Sequence, residues 1–169
     1  MKCFKDNRGR SWTIALNVYE MKRIRATLGI DLVNVVTLDR DGDVKVDLVD
    51  RIANDPCLLV DILWVLVEPQ AREDGVSDVD FGSSLAGDAI TEATGAFLDE
   101  LVDFFPGAKR LFLKKAVEVS RKYTGEMTAA LEKALESPEL DARIAESIGS
   151  SASSRASSGS TPESTPSAN

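Results

Sequence analysis

Eleven consecutive residues, Cys57-Leu-Leu-Val-Asp-Ile-Leu-Trp-Val-Leu-Val67, carry a single charge between them. A run this apolar is satisfied only by burial on several sides, so it predicts a helix at the centre of a core. Its length and Asp61 exclude a membrane span, which needs ~20 apolar residues. Pro56 suits the first helical position, and Pro69 is expected to limit or kink the helix. With 43% hydrophobic residues in 169, there is enough apolar surface elsewhere to surround it.

The flanking sequence supplies those neighbours. Trp12, Ile14 and Leu16 alternate with polar or small residues after the turn Asp6-Asn7-Arg8-Gly9, which predicts a β-hairpin. Asn17 is placed to cap a helix carrying Val18, Met21, Ile24 and Leu28, which Gly29 stops. Ile30 to Leu38 and Val44 to Val46 read as a second short hairpin or an extended excursion, and Asp47 to Ala53 as a short helix. The Asp39-Arg-Asp-Gly-Asp43 turn fails as a calcium loop. Aligned on Gly42, it puts Thr37 at the first ligand position and Leu48 where a bidentate glutamate is required.

Ser77 and Asp80 have capping-box spacing, with Val76 and Phe81 as the accompanying staple. After a break at Gly87, with Asp88 as cap, Ile90, Ala93, Phe97, Leu101 and Phe104 make one helical stripe. Glu92, Asp99, Glu100 and Asp103 are assigned to the opposite, solvated side, and Phe104-Phe105-Pro106 ends the helix. A long helix from Ala108 to Leu135 then carries Phe112, Ala116, Val119, Tyr123, Met127 and Ala130 on one face, with Gly125 as a bend or break. Pro138 opens a last short helix to Ile148, beyond which the Ser-rich sequence has too few apolar residues to fold.

The expected fold class is α+β: a small N-terminal β-hairpin element packed on a mainly helical body. The body is one domain over 1–148, β-rich over 1–46 and helical over 47–148, followed by a disordered tail over 149–169.

The chemistry that the chain lacks narrows its function. There is no histidine, so the commonest general base and transition-metal ligand are missing. There is no phosphate-binding glycine loop and no nucleophile elbow, and the carboxylate groups Asp78 with Asp80 and Asp99 with Glu100 and Asp103 read as solvated faces. Cys3 and Cys57 read as inert core thiols of a reducing cytosol. No apolar leader follows the N-terminal lysines, so the expected location is cytoplasmic. The expectation is therefore no catalytic residue, no cofactor and no metal.

Net charge is −8, but residues 1–38 hold +4 and residues 39–103 hold −13. That acidic middle disfavours nucleic acid and favours protein partners. The basic group Lys109, Arg110, Lys114, Lys115, Arg121 and Lys122 reads as a face complementing the acidic segment within the same fold. Trp12 and Trp64 are expected in the core. Candidate partner-binding residues are Phe81, Leu85, Phe97, Leu101, Phe104 and Phe105, which either close the core or leave a groove open for a helix.

Six segments together resemble the tail assembly chaperones of long-tailed bacteriophages and prophages: Phe4-Lys-Asp-Asn-Arg-Gly-Arg-Ser-Trp-Thr13, Lys22-Arg-Ile-Arg25, Asp55-Pro-Cys-Leu-Leu-Val-Asp-Ile-Leu-Trp64, Gly75-Val-Ser-Asp-Val-Asp-Phe-Gly82, Gly87-Asp-Ala89 and Leu101-Val-Asp-Phe-Phe-Pro106. The resemblance is one of pattern over residues 4–110. It implies a non-enzymatic protein that binds and solubilises the tape-measure protein, a long helical chain with apolar surface, and helps tail-tube subunits assemble around it. The Val33–Val46 segment and the Ser-rich tail depart from the family pattern. A structural virion or tail adaptor component and a regulatory interaction module are the competing readings. Homo-oligomerisation stays open, and no membrane association is expected.

Overall fold

Strands β1 (Lys2–Lys5) and β2 (Ser11–Ile14) pair antiparallel with Phe4 opposite Trp12, so both large side chains point to the inner face. The alternation that predicts the hairpin also decides burial. Phe4, Trp12 and Ile14 are buried, whereas Cys3, Lys5, Ser11 and Thr13 are exposed. The computed structural model describes residues 1–38 and 44–135.

Helix α1 (Val18–Leu28) begins at Asn17, whose side chain accepts from the N–H groups of Tyr19 and Glu20. It ends at Gly29, in the left-handed conformation that glycine adopts without strain. A single 3-10 turn, Leu32–Asn34, is capped by Asp31 and precedes a two-residue antiparallel pairing of β3 (Thr37–Leu38) with β4 (Val44–Lys45). Residues 39–43, whose sequence fails as a calcium loop, lie outside the described residues. Helix α2 (Asp47–Asn54) follows, burying Val49 and Ile52.

Helix α3 (Pro56–Glu73) takes the central place that its apolar run predicts. Leu59, Ile62, Leu63, Val65, Val67 and Ala71 are buried, and α1, α2, α4, α5 and β2 all touch it. Each such side chain contributes about 1.5–3 kcal/mol before chain entropy is subtracted. Of the limit or kink expected at Pro69, the limit does not occur, since the helix runs on to Glu73. The proline removes one N–H, yet the residues after it are held: Ala71 is fully buried, and the Gln70 amide donates to the Ser11 carbonyl (2.9 Å) and accepts from the Thr13 N–H (3.2 Å). Gln70 thus occupies the outer edge of β2 as a neighbouring strand would.

Helix α4 (Asp78–Gly82) is a single turn started by Ser77, whose hydroxyl accepts from the Asp80 N–H. Helix α5 (Asp88–Phe104) starts from Gly87 rather than from a side-chain cap, and packs chiefly along β1. The observed architecture is mostly helical with a small N-terminal antiparallel hairpin, as the α+β reading expects.

Helix α6 (Gly107–Leu135) runs through Gly125 without a break. Two compact units divide within it, Met1–Arg121 and Lys122–Asn169, whereas the sequence reading carried one domain to 148. The short helix expected after Pro138 and the tail over 149–169 lie outside the described residues.

Candidate interaction surface

The six residues proposed for partner binding are mostly core. Phe81, Phe97 and Leu101 have no exposed surface, and Leu85 and Phe105 are buried. Only Phe104 keeps part of its ring at the surface, packed edge-on against Phe105 with centroids 5.0 Å apart. Phe81 lies between Trp12 and Trp64, at 5.1 and 5.6 Å; Trp12 is fully buried, whereas Trp64, also expected in the core, is only half-buried at its edge. These side chains close the body, and an open groove along them is not present. The reason is the hairpin. Because α5 lays its apolar stripe along β1, the surface that sequence periodicity left open is already covered.

Two carboxylates inside this core are structural. Asp6 is buried, and it accepts from Trp12 Nε1, Arg10 Nε, Ser84 Oγ and the N–H groups of Arg8 and Arg10. Glu100, assigned by periodicity to the solvated side of α5, is instead buried. Its Oε1 accepts from the Leu16 N–H at 3.1 Å, and its Oε2 lies 2.9 Å from the Met1 ammonium, an ion pair whose geometry leaves that oxygen without a hydrogen bond.

The basic group at the start of α6 is partly taken up within the same unit. Arg121 pairs with Asp99 at 2.9 Å, Arg110 pairs with Asp103, and Lys109 donates to the Val33 carbonyl. Lys109 also sits 4.3 Å over the Phe105 ring. Hydrogen bonds from Lys2 and Arg110 hold the Asp103 carboxyl below its ordinary range. Lys114 and Lys115 remain on the surface.

A polar cleft of about 450 Å³ opens between the end of α1 and α2, lined among others by Asp31, Asn34, Thr37, Asp47 and Arg51. Asp31 is committed to Arg25, the Val33 N–H and Asn34, and the Arg25 hydrogen bond chiefly lowers its pKa. The lining offers no nucleophile paired with a base. No group of three or more metal-ligating side chains occurs among the described residues. Cys3 and Cys57 are both free and exposed, correcting the expectation of core thiols. Cys3 stands on the outward face of β1, and Cys57 in the first turn of α3 before its buried rows begin.

What the first unit does leave uncovered lies on α6. This helix turns Leu113 and Val117 into the body, one residue on from Phe112 and Ala116. One residue is a rotation of about 100°, enough to leave Phe112 and Val119 outside, with Ala116 half-buried between them. Phe112 is 38% and Val119 56% exposed, and Leu111 beside them is 71% exposed. Sequence periodicity finds this stripe but assigns no neighbour to it. Which of two adjacent apolar rows is buried depends on the approach of α5, and that is not a local property of α6. Among the described residues no helix is long and apolar enough to cross a membrane. Comparison with protein families, curated proteins and solved structures finds no match.

Proposed function

We propose that this chain is a non-enzymatic protein-binding assembly factor that takes an apolar helical partner against the outer row of α6, Phe112, Ala116 and Val119, with Leu111 at its margin. The observation that carries this reading is the exposure of Leu111, Phe112 and Val119 side by side on a helix anchored by Leu113 and Val117. The anchoring matters because a rigid row loses little entropy when a partner settles on it. The chain's overall charge of −8 keeps such a complex soluble.

The resemblance to phage tail assembly chaperones supplies the partner class: a tape-measure-like helical protein with extensive apolar surface, with tail-tube subunits as secondary partners. The binding row sits on α6 in this proposal, because the phenylalanines of α5 are used internally.

The test is co-expression with the longest helical protein encoded nearby, followed by affinity capture and a comparison of that protein's solubility with and without this chain. The reading expects a soluble complex that is lost with Phe112→Ser and Val119→Ser while the chain stays folded. A partner captured equally well by the double variant, or no gain in solubility, overturns it. Recovery of the chain from finished particles would instead favour a virion component.

A further inference from the structure

We infer that the polar cleft between the end of α1 and α2 binds a small zwitterion of the amino-acid or dipeptide class, its ammonium against Asp47 and its carboxylate against Arg51. The cleft measures about 450 Å³, which falls within the range of small-molecule sites and leaves room for a dipeptide and its water. Its charged lining residues are Asp31, Asp47 and Arg51. Asp31 is already committed. Arg25, which does not line the cleft, pairs with it, and the Val33 N–H and the Asn34 amide donate to its two oxygens.

Asp47 and Arg51 are uncommitted. They stand one turn apart on the same flank of α2 with the acid nearer the N-terminus, the order in which helical pairs usually join. Yet neither forms an ion pair with the other, or with any other side chain among the described residues, and both are exposed. A cleft that presents one unpaired charge of each sign repels a simple anion through Asp47 and a simple cation through Arg51. It suits a molecule that carries both charges. Helix α1 ends here, with Leu28 and Gly29 in the lining, so its C-terminal partial negative charge adds to Asp47 in favouring the ammonium. The side-chain carbonyl of Asn34 and the hydroxyl of Thr37 remain open for further hydrogen bonds. Half-buried Leu48 and buried Val35 supply apolar lining for a short side chain.

This site uses no residue of α6, so it stands or falls apart from the helical-partner reading. The test is a titration of the full isotope-labelled chain with the dipeptide L-alanyl-L-alanine, followed by the amide resonances of residues 47–51. They should shift saturably, with a Kd of about 0.1–5 mM. The N-acetylated dipeptide lacks the ammonium and the dipeptide amide lacks the carboxylate, so each should bind at least ~3-fold more weakly, the scale of one exposed charge contact. Asp47→Asn should erase the preference over the acetylated form, and Arg51→Gln the preference over the amide. General weakening of the fold would not give that crossed pattern, and the thermal transition of each variant serves as the control for folding. The inference is overturned by the absence of saturable shifts at residues 47–51, by equal binding of the three dipeptide forms, or by preferences that survive both substitutions.

Discussion

The indole N–H of Trp12 donates to the Asp6 carboxylate across 3.0 Å, where neither side chain meets solvent. The same oxygen accepts from Arg10 Nε at 2.6 Å and Ser84 Oγ at 3.1 Å, and its partner oxygen accepts two backbone N–H groups at 2.9 Å. One carboxylate therefore joins the hairpin turn, the largest core aromatic and the segment before α5.

Replacing Asp6 by Asn presents an amide N–H₂ to donors that need an acceptor and removes the charge opposite Arg10. The expected loss is about 3 kcal/mol, the scale of a broken buried ion pair. A urea midpoint followed by tryptophan fluorescence measures it directly. A variant unfolding within about 0.5 kcal/mol of the parent would contradict this role for Asp6.

Acid should reveal the same group. Burial pushes the Asp6 pKa up, but the hydrogen bonds from Trp12, Arg10 and Ser84 outweigh it and hold the value at about 2, against 3.8 unperturbed. A depressed carboxylate contributes stability that is whole above its unfolded pKa and is lost as pH falls through the folded one. Roughly 2 kcal/mol should therefore disappear between about pH 4 and pH 2. Asp31, Asp80 and Asp103 are lowered too and add in the same direction. Urea midpoints across this window should fall, and fall less in Asp6→Asn.

Core and surface rows should separate cleanly under mutation. Phe97→Ala leaves a cavity at a site with no solvent exposure, costing about 3–5 kcal/mol, and a polar residue there should cost at least as much. Phe112→Ser and Val119→Ser should each stay within about 1 kcal/mol of the parent. Equal damage from both sets would mean that the outer row of α6 is covered within the monomer.

Two glycines should respond with opposite sign. Gly87 starts α5 at φ 55° and ψ −127°, a conformation nearly closed to other residues, so Gly87→Ala should cost about 1–3 kcal/mol by backbone strain alone. Nothing lies within 4 Å of a Cβ at Gly125 in mid-helix. Gly125→Ala should therefore raise α6 helicity and stabilise it by about 0.5–1 kcal/mol, readable by circular dichroism.

Local chemistry was legible wherever a residue acts on its immediate neighbours. The turn at Asp6–Gly9, the cap at Asn17, the stop at Gly29, the first-turn Pro56 and the cap at Ser77 all stand where their side chains and backbone freedom require. The site was less legible because it depends on which face meets which. Glu100 looks solvated on a helical wheel, yet β1 and the chain after β2 enclose it. Phe97 and Phe112 look alike in sequence, and only the hairpin packed against α5 makes one core and the other surface. Pro69 failed as a helix stop because Gln70 and Ala71, immediately after it, are held from outside the helix.

The packing of α5 along β1 also bears on how the chain is made. Residues 2–5 leave the ribosome well before the helix that shelters them, which is complete only at Phe104, and the Ser84 hydroxyl that finishes the Asp6 cluster arrives shortly before that. Until then Phe4 and Trp12 have no roof, so a nascent chain cut short of that point should remain a protease substrate. Folding of the body is in this sense a late event, committed when its end comes back to cover its beginning.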